Sequence, residues 1–202
     1  MSAQAGGSPA NGTAPRPHVV ERVTRETEIR VEIARGTGRA TADTTQPFLD
    51  HMMVTLARYA SLDLRIEARG DLKHHLIEDV GIVIGTALAG LATPTVARYG
   101  ARTIPMDDAL VQAVIDVGGR PFYRGPLPSR LYDHWMRSFC DHARATLHVR
   151  VLRGNDRHHV VEAAFKALGL AIRDALTEGG DEVFSTKGRI ETAVGPRPGV
   201  PA

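Results

Sequence analysis

Cysteine is nearly missing from this chain of 202 residues: Cys140 stands alone. One thiol cannot form an internal disulfide, and a reducing, cytoplasmic location is expected. Long apolar runs are missing too, and a membrane-spanning helix needs roughly 20 such residues. No N-terminal stretch couples basic residues to an apolar segment, so a secretory leader is not expected. Neither sign of charge dominates: 25 Lys and Arg face 23 Asp and Glu, interspersed, for a net charge of +2. Such mixing leaves no basic stripe for nucleic acid, while the slight basic excess suits a small anionic substrate. What is present is a 43% hydrophobic composition, enough for a sizeable core in one ordinary domain or two small ones.

Both ends are expected to be disordered tails. Residues 1–17 are rich in Ala, Gly, Pro and Ser, and residues 193–202 read Ala-Val-Gly-Pro-Arg-Pro-Gly-Val-Pro-Ala. Such segments bury too little apolar surface to offset chain entropy.

Between the tails the chain reads as two similar halves, residues 18–95 and 96–192. In the first, residues 19–33 read as a strand, with Ile29, Val31 and Ile33 alternating with Arg30 and Glu32, the period of a half-buried strand. Gly36 and Gly38 mark a turn, and Pro47 opens a helix to about Tyr59 with Phe48, Met52 and Leu56 at helical spacing. A second strand over Leu62–Ala68 precedes a helix from Lys73 to about Leu91. In the second half, strands are predicted at 97–104 and 110–117, a helix at Leu131–His142, a strand at Ala145–Leu152 and a helix from His158 to Leu176. The repeated order implies an internally duplicated α+β architecture, each unit a sheet plus two helices, with the two units packed together.

The chemistry lies in a phrase that occurs twice. His74-His75-Leu76-Ile77-Glu78 and His158-His159-Val160-Val161-Glu162 are 84 residues apart, and each opens a predicted helix. His51 precedes the first by 23 residues and His134 precedes the second by 24. On a helix, residues four apart share a face, so each phrase stacks one imidazole over a carboxylate while its neighbouring imidazole diverges. Imidazole with carboxylate suits Mn, Fe, Co, Ni or Zn rather than Ca or Mg. A single copy reads equally well as a polar helix N-terminus. Two copies, each with an upstream histidine, favour a pair of metal sites. His148 reads as a structural strand residue, and His18 and His142 as surface residues.

Further segments carry a resemblance: Arg22-Val-Thr-Arg-Glu26-Thr27, Phe48-Leu-Asp-His51, Gly70-Asp71-Leu72, Glu78-Asp79, Pro105 through Leu110, Asp116 through Pro121, Thr146-Leu-His148, Phe165-Lys166-Ala167 and Ser185-Thr-Lys187-Gly. In order and spacing they resemble the imidazoleglycerol-phosphate dehydratase family of histidine biosynthesis. The resemblance implies a duplicated ribosomal protein S5 domain 2-like fold. It implies two Mn2+ ions per active site, with ligands falling on His51, His74, His75, Glu78, His134, His158, His159 and Glu162. Glu26 would be the proton-transferring carboxylate, and Arg98, Arg120, Ser185 and Lys187 would bind the substrate phosphate. By position alone, Glu26 reads as a surface strand residue, Arg98 as a solvated strand residue and Arg120 as the decoration of a turn. The resemblance also implies a 24-mer built from trimers, in which first-half ligands of one subunit meet second-half ligands of a neighbour.

The chain departs from the family's pattern in places. Lys73 stands where many members carry an acidic residue before the histidine pair, so a carboxylate that could orient a ligand imidazole is expected to be missing. Thr55 and Tyr59 replace a frequent Gln and His, Gly118 a frequent Ser, and Asn155 comes one place early. Two alternatives therefore accompany the dehydratase reading: a paralogue acting on another phosphorylated substrate, and a non-catalytic metal-binding shell protein.

Overall fold

In the computed structural model, which describes residues 17–179, the duplication is realised as two four-stranded sheets. The first half runs β1 (His18–Val23), β2 (Thr27–Arg35), β3 (Ala40–Asp43), α1 (Pro47–Ala60), β4 (Leu62–Gly70) and α2 (Lys73–Ala89). The second repeats it as β5 (Tyr99–Met106), β6 (Ala109–Asp116), β7 (Phe122–Arg124), α3 (Arg130–Ala143), β8 (Thr146–Arg153) and α4 (Arg157–Ala175). Strand order is β1-β2-β4-β3 in one sheet and β5-β6-β8-β7 in the other. In each, the first three strands pair antiparallel and the short edge strand pairs parallel to its neighbour.

Alternation decides which face of each sheet is covered. Ile29, Val31 and Ile33 of β2 and Leu64, Ile66 and Ala68 of β4 point inward and are buried, while Arg30, Glu32, Arg65 and Glu67 point out. The helices pack on the inner faces and then on each other, α2 against α3 and α1 against α4. Trp135, Phe139 and Phe165 fill the centre, with Trp135 stacked on Phe139 at 5.2 Å and tilted against Phe165 at 4.8 Å between centroids. Truncating any of them to alanine would cost roughly 3–5 kcal/mol.

Glycines allow the helices this close. A Cβ at Gly85 of α2 would lie 2.4 Å from the Phe139 carbonyl of α3, and one at Gly169 of α4 would lie 2.9 Å from the Leu56 carbonyl of α1. The two interhelical contacts therefore join one half to the other, and both bring histidine-bearing helices together. Among the described residues, no helix is long and apolar enough to cross a membrane.

Three local features differ from the sequence reading. The strands β3 and β7 are too short to show a period-two signal; they exist because a neighbouring strand offers them a parallel edge. The stretch predicted as one strand near residues 19–33 is a hairpin. Its turn contains no Gly or Pro; instead the Thr24 hydroxyl accepts hydrogen bonds from the backbone N–H of Glu26 at 3.1 Å and Thr27 at 3.0 Å. Glu26 is consequently a turn residue, exposed at the end of the sheet, and not a strand residue. Arg98 likewise sits just before β5, in the left-handed region at φ 68°, and not on a strand.

Candidate metal centre

The helix ends converge into two clusters. His51 of α1 meets His158 and Glu162 of α4; His134 of α3 meets His74 and Glu78 of α2. Within each cluster, one ligand atom per residue lies within 4.8 Å of the other two. Each cluster therefore takes a lone histidine from one half and the first histidine and the glutamate of the repeated phrase from the other. Crossing of the halves was expected between subunits, but the close α1–α4 and α2–α3 contacts already produce it inside one chain.

The donor geometry fits a transition metal. The Nε2 atoms of His51 and His158 each lie 3.2 Å from the same Glu162 Oε2, and His74 Nε2 lies 3.2 Å from Glu78 Oε2. Two adjacent donors each about 2.0–2.2 Å from one ion stand about 3 Å apart. Two nitrogens and one carboxylate oxygen form an incomplete set, since His75 and His159 turn away, as adjacent helical side chains must.

Those two histidines are held by carboxylates. His75 Nδ1 lies 2.9 Å from Asp71 Oδ1 and 3.6 Å from Glu26 Oε2. His159 Nδ1 lies 2.7 Å from Asp108 Oδ1, and its Nε2 lies 3.4 Å from Asp107 Oδ2. A proton on Nδ1 shared with carboxylate leaves Nε2 as the donor atom toward an ion. The hydrogen bond that His75 donates to Asp71 holds the His75 pKa above its usual value, and the one that His159 donates to Asp108 does the same for His159. Asp108 is drawn down to about 2, chiefly by the backbone N–H of Asn155 and then by His159. The carboxylate expected to be missing before His74 is thus present: Asp71 orients His75 across one helical turn, despite Lys73.

The two clusters are not equivalent. Glu162 is buried, with side-chain exposure of 8% against 42% for Glu78. Burial opposes its ionisation, but hydrogen bonds from Lys166 and His51 outweigh that and hold its carboxyl below the ordinary value. Lys166 Nζ binds Oε1 at 2.8 Å and lies over the Tyr59 ring at 5.8 Å. With Oε1 taken, only Oε2 faces the histidines. The Glu78 cluster has Ile82 at the corresponding place on α2.

The remaining predicted residues fall elsewhere. Arg98 reaches Asp116 through Nε and Nη2, at 3.2 Å and 3.0 Å to Oδ1, and flanks the Gly118-Gly119 turn beside the exposed Arg120. Ser185 and Lys187 lie outside the described residues. Thr55 is buried one turn beyond His51 and Tyr59 half-buried a turn further. His148 is exposed on β8 against Phe122 at 5.5 Å between ring centroids; His18 and His142 are exposed. The sequence reading assigned no role to Asp71, Asp108 or Lys166, although all three stand in the segments that carried the resemblance.

A sequence profile for imidazoleglycerol-phosphate dehydratase matches residues 44–172, well over half of the chain. The chain belongs to the imidazoleglycerol-phosphate dehydratase family. It is 41% identical over 196 residues to the imidazoleglycerol-phosphate dehydratase of Anaeromyxobacter sp. (strain Fw109-5), covering 89% of this chain and 96% of that protein. The Caldivirga maquilingensis relative of the same name is 42% identical over 189 residues, covering 86% and 98%. Among solved structures, the Pyrococcus furiosus imidazoleglycerol-phosphate dehydratase in complex with (S)-C348 superposes with a TM-score of 0.77 at 38% identity, covering 85% of this chain and all of that one. The Staphylococcus aureus imidazoleglycerol-phosphate dehydratase gives 0.72 at 33% identity, covering 80% and 99%. As a member of the imidazoleglycerol-phosphate dehydratase family, the chain is a hydro-lyase of histidine biosynthesis.

Proposed function

We propose that the two clusters are metal half-sites of a dehydratase converting D-erythro-imidazole-glycerol phosphate to imidazole acetol phosphate, with Mn2+ as the metal and two ions per active site. The observation that carries the reading is the crossed pairing of a histidine from one half with a His-x-x-x-Glu turn from the other, twice, in a member of this family. When bound, the ions supply Lewis acidity and a template for the substrate imidazole. Relatives of the same name at 41–42% identity over most of the chain disfavour both the paralogue and the shell-protein readings.

The protein's own residues supply the rest. Six donors form the two clusters, and His75 and His159, turned outward on their carboxylates, complete the site of a neighbouring subunit. This reading makes the enzyme a homo-oligomer, a 24-mer of trimers, acting in the cytoplasm. Glu26, exposed beside His75, moves the proton: its carboxylate takes it from the carbon adjacent to the one that loses its hydroxyl and returns it to that ring-side carbon, while the remaining hydroxyl, as it becomes the ketone, gives up the proton with which the departing hydroxide leaves as water. The Arg98 fork, its plane set by Asp116, binds the phosphate with Arg120, Ser185 and Lys187.

Elemental analysis of the purified chain, with an assay for imidazole acetol phosphate before and after metal stripping, tests the reading. Two equivalents of manganese and metal-dependent turnover are expected. Turnover unaffected by stripping would refute the metal role, and a monomer by light scattering would refute the shared site.

A further inference from the structure

One carboxylate beside the site has no part in the chemistry above. Asp79 follows Glu78 on α2 and points the other way, into the body of the first half, where it is only 9% exposed. Its Oδ2 accepts a hydrogen bond from the Thr27 hydroxyl at 2.5 Å, and its Oδ1 lies 3.3 Å from Arg22 Nη2. Thr27 is itself 4% exposed, and its hydroxyl lies 3.1 Å from that of Thr24. Thr24 Oγ1 in turn accepts the N–H groups of Glu26 and Thr27. The chain of contacts runs from the ligand-bearing helix to the backbone of Glu26. On the far side the Asp71 N–H donates to the Glu26 carbonyl at 3.0 Å. A turn without Gly or Pro is thus fixed from both flanks.

The duplicated half supplies an internal control. Gly70 and Gly154 are 84 residues apart, the spacing of the repeated phrases. A Cβ at Gly70 would lie 3.2 Å from Thr27 Cγ2, and one at Gly154 would lie 3.0 Å from Ala109 Cβ. Ala109 therefore occupies the place of Thr27, and Ala163, directly after Glu162, that of Asp79. Both alanines are buried, at 2% and 0% exposure. The fold accepts an Ala–Ala pair where the first half holds a buried hydroxyl and carboxylate, the latter paired with the partly exposed Arg22. A buried charge and its partners are costly to desolvate, so folding alone does not account for them. The first half differs in having Glu26 on the turn they hold.

We propose that Asp79, acting through Thr27 and Thr24, is a positioning residue that fixes the Glu26 turn against the metal-ligand helix α2. The proposal rests on the role of Glu26 given above. With the turn loosened, Glu26 remains present but is held less closely in its reactive position. A displacement of about 1 Å can lower a rate about 100-fold.

The test transplants the second half's solution. In the full-length enzyme, the double variant Thr27→Ala with Asp79→Ala is expected to keep its bound manganese, measured by elemental analysis after gel filtration. KM is expected to stay within about twofold while kcat falls about 100-fold. Thr27→Ser with Asp79 intact, which keeps the hydroxyl and its carboxylate partner, is expected to retain most of kcat. Should the double variant not fold, Thr27→Val keeps the branched shape, removes only the donor and is read in the same way. Unchanged kcat would overturn the proposal, as would metal and activity lost together. Full turnover by Glu26→Gln would instead overturn the role of Glu26 itself. Inactive Glu26→Gln beside a fully active Thr27/Asp79 variant would sink only the positioning claim.

Discussion

Widening the gap between α2 and α3 by one methyl group should weaken the fold and the metal site in different proportions, depending on where it is placed. A Cβ at Gly85 would stand 2.4 Å from the Phe139 carbonyl, and one at Gly81 would stand 2.8 Å from the Trp135 carbonyl. Ordinary contact begins near 3.4 Å, so Gly85→Ala requires a separation of about 1.0 Å (3.4 − 2.4) and Gly81→Ala about 0.6 Å (3.4 − 2.8). Overpacking of this kind costs about 1–3 kcal/mol, sometimes more, and the helix propensity of alanine returns up to about 1 kcal/mol. Gly85→Ala is therefore expected to lose about 2–3 kcal/mol and Gly81→Ala about 1 kcal/mol, read as lower urea midpoints of the metal-free protein. The order reverses at the site. Trp135 directly follows the candidate ligand His134, whereas Phe139 lies more than a turn further along α3. Metal–ligand distances tolerate about 0.2 Å, so a 0.6 Å shift beside His134 should lower manganese affinity more than the larger shift at Gly85. Calorimetric titration with manganese measures it. If Gly81→Ala matched the parent in both midpoint and affinity, the α2–α3 contact would not set the spacing of the His74–Glu78–His134 cluster.

Other consequences are equally direct. Lys166→Met removes the partner of the buried Glu162 Oε1; breaking a buried pair costs up to about 3–5 kcal/mol, so the metal-free protein should melt lower and added manganese should recover more stability than in the parent. Glu26→Gln is expected to abolish turnover with metal content intact, and unaltered activity would remove Glu26 from the mechanism. Asp63 accepts backbone N–H groups, that of Arg39 first and then that of Thr37, which holds its pKa below the usual 3.8. A depressed carboxylate stabilises above its unfolded pKa and loses that contribution as pH falls through the folded one. Asp63→Asn should therefore flatten the fall in urea midpoint between pH 5 and pH 3, and an unaltered slope would count against this.

Much of the fold was legible because its signals are local. The alternation at Ile29, Val31 and Ile33 marked an inward strand face, and Pro47 marked a helix start, each by a period or a steric rule acting within a few residues. Where those rules have no purchase the reading failed. The edge strands β3 and β7 exist only by pairing, and the Thr24 turn closes through a side chain with none of the usual turn residues. At the candidate site, residue types and the stacking of each histidine over its glutamate followed from helical spacing. The partner of each pair did not, because His51 and His158 are separated by more than a hundred residues of chain.

By itself, then, the sequence determined the duplicated elements, the donor types and the divergence of the two adjacent histidines, all of which depend on backbone periodicity. Tertiary structure decided that α1 meets α4 and α2 meets α3, so that each lone histidine completes the other half's phrase. It also decided that Lys166 binds one of the two glutamates and that Asp71 and Asp108 orient the outward histidines. Those choices rest on close packing across glycines and on burial, which depend on where distant segments come to lie and leave no periodic trace in the chain.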